Sequence, residues 1–462
     1  MKLNPFRKES LKRYLGTDKH FVKTLGAFDL LTIGIGAVIG TGIFILPGTV
    51  AAKEAGPGVT LSFLIAALVC TLASMCYAEL SSSIPVAGSA YSYGNILYGE
   101  VIGWILGWAL ILEYMLSVAA VSAGWASYFN SLLHSFGLHI PHHFEGPFDP
   151  LNGTYLNLWA VISVLLIGIL LSRGMKASMK FNNAAVLIKI AIIFIFIGVG
   201  LFFIKPKNYQ PFTPYETTGV LRGATTVFFA FLGFDVVSSS AAEVKNPKKN
   251  MPIGIIGTLI VAALLYMGVS VVLTGMVNYK QLDVANPVAY ALKVVNQGWV
   301  ADLLSIGAIV GMSTMMLTMI YSSSRLIYSI GRDGLLPSFL GKIDKHGLPE
   351  NALWIVTIVI AIMGGLFSLK ELTSLVSIGT LLAFTFVSFG VILLRRRKDI
   401  PEGDFKVPFY PVIPILSGLA CIGMMCFLSV KTYIFASIWF LFGLFIYCVY
   451  GYEHSKISKR NN

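Results

Sequence analysis

Apolar stretches of about twenty residues, separated by short polar ones, run along nearly the whole chain. Twelve can be counted, at roughly 27–50, 59–83, 99–131, 156–172, 181–204, 221–243, 252–277, 298–330, 353–368, 373–394, 411–429 and 432–450. A bilayer core of ~30 Å needs about 20 apolar residues in a helix, and the runs match that length. Ala184–Ile204 holds a single charge, Lys189. The pattern predicts an all-α polytopic membrane protein with 12 transmembrane helices.

Composition agrees, and the distribution of charge adds an orientation. Hydrophobic residues make up 56% of the chain and charged ones 12%, about half the charge of an average globular domain. The net charge of +12 does not point to nucleic acid, because 25 of the 34 Lys and Arg fall on one side of the predicted membrane. That excess is the positive-inside pattern, so both termini are expected in the cytoplasm and the protein in the cell membrane. RRRKD at 395–399 is read as a topology determinant and anionic-lipid contact. The first 24 residues lack an apolar core with a cleavage site, so the first span is expected to serve as its own insertion signal. Cys70, Cys76, Cys421, Cys426 and Cys448 lie within apolar runs and read as small buried hydrophobes. His134 to His143 belong to a loop, read as solvated, with weak metal binding as the alternative.

The first span contains GIGAVIGTG at 34–42, with glycines at 34, 36, 40 and 42. Each glycine inside a helix costs roughly 0.5–1 kcal/mol relative to alanine. A phosphate loop is excluded, since the spacing is GxGxxxG within an apolar run. A helix-packing face accounts for Gly36 and Gly40 but leaves Gly34, Thr41 and Gly42 unexplained. An unwound segment lining a cavity accounts for those as well. A break there presents carbonyls at one half-helix end and N–H groups at the next, a pair of partial charges suited to a zwitterion such as an amino-acid backbone. Carriers built from inverted repeats carry a matching break in their second half, and VFFAFLGFDVV at 227–237 supplies Gly233 and Asp235 inside an apolar run.

Five motifs in order, GIGAVIGTGIF, PVAGSAYSY at 85–93, FFAFLGFD at 228–235, EVKNPKKNMP at 243–252 and GRDG at 331–334, resemble bacterial members of the amino acid, polyamine and organocation (APC) superfamily. The nearest likeness is to the cationic amino acid transporter-like branch, which includes branched-chain amino acid permeases. The resemblance implies a LeuT-like five-plus-five inverted repeat with two extra C-terminal helices. It divides the chain into an N-terminal segment 1–24, repeats at 25–204 and 220–394, two helices at 411–450 and a tail 451–462. It places the substrate carboxylate on Thr41 and Gly42, with Gly40 allowing close approach. The ammonium falls on carbonyls of Val38, Phe229, Ala230 and Leu232, and Phe229 also stands where relatives have an aromatic outer gate.

Lys189 lies eight residues inside its span, where a charge costs about 2.5–3.5 kcal/mol and is usually kept for function. Some relatives bind sodium between spans 1 and 8, and proton-coupled ones place a span-5 lysine there. The resemblance therefore implies proton coupling through Lys189 without sodium, with hydroxyls of Ser313 and Thr314 as span-8 partners. A lysine that only pins the spans together is the alternative. Glu113 in LEYM is a second intramembrane charge, read as a further titrating group or a partner for a cationic substrate. Asp29 and Asp235 are expected at an inner gate or in a solvated vestibule, and Glu243 with Lys245 at a helix end without chemistry. Met316, Met319 and Ile320 are expected to floor the side-chain pocket and favour neutral substrates. No metal site or cofactor is expected, and nothing resembles an enzyme's nucleophile, base or phosphate loop. The sequence thus reads as a proton-coupled symporter of small or branched-chain neutral amino acids. An exchanger, a cationic amino acid carrier and a non-transporting receptor are the alternatives.

Overall fold

The computed structural model describes residues 7–17, 23, 25–344 and 348–456. The predicted terminal segments 1–24 and 451–462 therefore fall partly outside the described residues. Among the described residues the chain is helical, with two isolated β-bridges, Leu25 with Val244 and Asp149 with Thr154. The main helices are α1 (Ala27–Val38), α2 (Val59–Ser83), α3 (Glu100–Ser135), α4 (Leu158–Ser172), α5 (Met175–Leu201), α6 (Glu216–Phe228), α7 (Pro247–Met276), α8 (Gly298–Arg332), α9 (Glu350–Leu366), α10 (Leu369–Leu394), α11 (Val412–Met425) and α12 (Val430–Ile446). Among the described residues eight stretches of helix are long and apolar enough to cross a membrane, and α1, α4, α9 and α11 are shorter apolar helices.

Burial separates an inner set from an outer one. The apolar windows within Glu100–Ser135 and Glu216–Ser239 are 83% buried, against 22% within Val430–His454. The inner helix α3 is largely apolar all round because protein surrounds it, whereas α12 turns Ile438, Leu441 and Phe445 outward, as a lipid-facing helix does. Around α3 pack α8 and α10, and α7 lies against α1 and α2. Cys70, Cys76 and Cys421 are buried as expected, but Cys426 and Cys448 are exposed.

Both described ends of the chain lie on one face. The carboxylate of Glu100, fully buried, accepts from Arg7 Nε and Nη2 (3.2 Å each), Tyr447 Oη (2.8 Å) and Ser455 Oγ (2.6 Å). Nearby, Asp333 Oδ2 accepts from the hydroxyls of Tyr14 (3.0 Å) and Tyr91 (2.9 Å). On this face the arginines of RRRKD are partly committed to protein. Arg395 donates to both oxygens of Glu79 (2.7 and 2.8 Å), and Arg397 to both of Asp399. On the opposite face His134 and His142 flank Glu145 at 3.3 and 3.1 Å. Among the described residues no three His, Cys, Asp or Glu side chains converge into a metal site.

Candidate functional site

The glycine-rich stretch interrupts its helix in one place. α1 ends at Val38, Ile39 turns extended (φ −84°, ψ 92°), Gly40 takes φ −124°, ψ −129°, and a short turn of helix resumes over Thr41–Phe44. Gly34 and Gly36 stay helical and serve packing: a Cβ on Gly36 would lie 2.8 Å from Asn182 Oδ1 of α5, and one on Gly34 would collide with Thr258 of α7. Gly40 is covered by Met315 of α8. The second break follows the same plan. α6 passes into one 3-10 turn at Phe229–Phe231, Leu232 is extended (φ −66°, ψ 144°), and Gly233 takes φ +110°, a backbone state open to glycine at little cost. Helix resumes at Val236–Ser239.

The two breaks touch. A Cβ on Gly42 would lie 2.6 Å from Ala230 Cβ and 2.7 Å from its Cα, and one on Gly233 would lie 2.9 Å from the carbonyl of Ala37. Val38, Thr41, Phe229, Ala230 and Leu232 are all buried there, and Thr41 Oγ1 has no hydrogen-bond partner among the described residues. Buried hydroxyls are nearly always paired, so an orphan at the N-terminus of a resumed helix suits a ligand oxygen. Tyr266 of α7, which the sequence did not single out, reaches both breaks with one hydroxyl: Oη lies 2.9 Å from Val38 O and 2.7 Å from Ala230 O. Phe63 and Phe231 pack around its ring at 5.4 and 5.0 Å.

Lys189 is fully buried, and its ammonium meets the carbonyl end of α1. Nζ lies 2.8 Å from Ile39 O, 3.1 Å from Ile35 O, 3.3 Å from Gly36 O and 3.4 Å from Gly311 O, and 2.7 Å from Thr314 Oγ1. A cation at a helix C-terminus is where the backbone dipoles favour one. Ser313 departs from expectation. One residue along a helix is about 100° around it, so its hydroxyl faces α3, accepting from Trp125 Nε1 at 3.0 Å.

Other candidates separate similarly. Met316 turns to α4, its sulfur accepting from Ser163 Oγ at 3.9 Å, while Met315 is the methionine on the first break. Met319 and Ile320 are fully buried in α8. Glu113 lies beside Asp235 and Thr380 without a well-formed hydrogen bond to either oxygen. Asp235 is fully buried and accepts from Tyr114 Oη at 2.6 Å, so it belongs to the bundle interior, not to a solvated vestibule. Asp29 caps α1 by accepting from Gly26 N–H at 2.9 Å. Glu243 does more than end a helix, since it pairs with Arg325.

Comparison with known proteins places this arrangement. The family profile described as Amino acid permease matches residues 25–455. The methylthioribose transporter of Bacillus subtilis is 47% identical, over 98% of this chain and 99% of its own length. The branched-chain amino acid permease BcaP of Bacillus subtilis is 44% identical over 99% of this chain and all of its own, and BcaP of Lactococcus lactis 40% over 97% and 99%. The chain is therefore a transporter, not an enzyme, and belongs to the amino acid permease family of the APC superfamily.

Proposed function

We propose that this protein is a secondary active carrier of neutral L-amino acids, branched-chain ones among them, working by proton-coupled symport and alternating access. The observation that carries the reading is the Lys189 ammonium, which holds two carbonyls of α1, that of Ile39 in the break and Thr314 of α8 at once. Protonated, it fastens α1 to α5 and α8. Loss of its proton to the side facing it frees the carbonyl end of α1 to move. The substrate carboxylate sits on Thr41 and Gly42, and its ammonium competes with Tyr266 Oη for the carbonyls of Val38 and Ala230, joined by those of Phe229 and Leu232. Phe229 closes over the substrate from outside. The shorter helices α1, α4, α9 and α11 complete twelve crossings in a five-plus-five inverted repeat with α11 and α12 added. Both termini face the cytoplasm of the cell membrane.

The identity to the methylthioribose transporter favours a second reading, carriage of a thiosugar. Such a substrate has no ammonium, and would leave Tyr266 on both carbonyls. Uptake of radiolabelled leucine, alanine, arginine and methylthioribose into proteoliposomes, under imposed pH and sodium gradients, decides between them. We expect leucine uptake driven by a pH gradient and lost in Lys189→Ala; sodium-driven uptake that survives this substitution refutes proton coupling.

A further inference from the structure

On the face that carries both described ends, the inner halves of the two broken helices are pinned to each other. Leu25 N–H donates to Glu243 O at 3.1 Å, and Lys245 N–H donates to Leu25 O at 2.8 Å, a short parallel bridge just before α1 and just after the second break. Whatever moves one of these segments moves the other.

Beside this bridge, Glu243 meets α8 through a charged contact. The Glu243 carboxylate is ion-paired with Arg325 and accepts from Tyr321 Oη at 3.0 Å, and the Arg325 guanidinium lies 4.4 Å from the centroid of the Tyr321 ring. The two charged side chains are only 12% and 9% exposed. Beside them Ser239 and Ser322 stand 3.3 Å apart, and Ser238 Oγ lies 2.8 Å from Ser89 Oγ. These hydroxyl contacts are neutral and weak. The ion pair is the strong member, because removing one partner of a buried pair strands the other charge.

The geometry points to Glu243, Arg325 and Tyr321 as the inner gate. The pair closes the route from the substrate site to the terminal face, and its rupture lets α1 and residues 236–245 swing away from α8 as one body. Glu243 and Arg325 are positioning residues, since neither touches the substrate-site atoms described above. The inference rests on the alternating-access reading, and its test separates the two.

A single cysteine introduced at Ser240, buried in the pinned segment, reports access from the terminal face through its rate of reaction with a membrane-impermeant maleimide. The full-length protein is used, and the rate is read as the increment over protein without that cysteine. Glu243→Gln and Arg325→Gln are each expected to raise labelling about tenfold, as a minor open state becomes populated. The exchanged pair, Glu243→Arg with Arg325→Glu, is expected to return it toward the starting rate. Single variants that label at the starting rate, or an exchanged pair as fast as the singles, overturn the gate. If a charge variant aggregates, Tyr321→Phe carries the test with an expected severalfold rise, and no rise overturns the gate. Counterflow of leucine by the unaltered protein is measured alongside. Counterflow with unresponsive labelling sinks the gate alone, and responsive labelling without counterflow keeps the closure but sinks the transport reading.

Discussion

Tyr266 gives one hydroxyl to two carbonyls from segments 192 residues apart in sequence, Val38 and Ala230. An unpaired buried carbonyl costs about 1–3 kcal/mol, so Tyr266→Phe should lower the stability of the folded carrier by about that much in thermal unfolding. It should also slow amino acid uptake severalfold, since the breaks lose the link that sets their spacing. Gly42 acts through contact distance. A valine there would drive its side chain into Ala230, whose Cβ is 2.6 Å from the first added atom. Uptake by Gly42→Val should be abolished while membrane insertion and the gel-filtration profile persist, because the clash falls at the junction of the breaks and not within a long helix. Loss of folded protein would instead mark Gly42 as a packing residue alone.

At the scale of elements, the loop joining α3 to α4 offers a prediction from charge. Glu145 holds His142 protonated above its ordinary range through their hydrogen bond, and the same bond holds the Glu145 carboxyl below its own. A raised histidine stabilises the loop below its ordinary value and loses that contribution as pH rises through the raised one; the depressed carboxylate contributes above its ordinary value and loses that as pH falls. The clasp is therefore strongest between about pH 5 and 6.5. Amide-exchange protection over residues 136–153, measured relative to the unstructured rate at each pH, should be greatest there and lower at pH 8, and protection that does not change with pH would dismiss the clasp.

How the elements could be read from sequence follows from what each depends on. Long apolar runs reveal helices such as α3 and α7 because the bilayer demands them. The breaks were legible because glycine and aspartate are costly in such runs. The partner of Lys189 is legible only as a nearby hydroxyl, and the choice of Thr314 over Ser313 depends on helix rotation, which the limits of an apolar run do not fix. The same uncertainty exchanged Met315 for Met316. Tyr266 carried no signal, since an aromatic in an apolar run is ordinary. The helix Ser89–Leu97 was also missed, being short and buried all round.

For the molecule as a whole, the pinned inner segments, the touching breaks and the lysine between α1, α5 and α8 form one mechanical chain. Polar groups are concentrated along it, and the periphery at α11 and α12 is apolar. Glu100 lies apart from that chain and has a consequence for biosynthesis. Its carboxylate is buried with ligands from residue 7 and from residues 447 and 455, so during synthesis it cannot be fully satisfied until residue 455 has emerged. A chain stopped after Ile446 keeps α1 to α12 but leaves this carboxylate half-partnered, and should insert yet unfold at lower temperature than the full chain. The carboxylate thus works as a late lock on the fold, closed by residues that follow the last of the twelve helices.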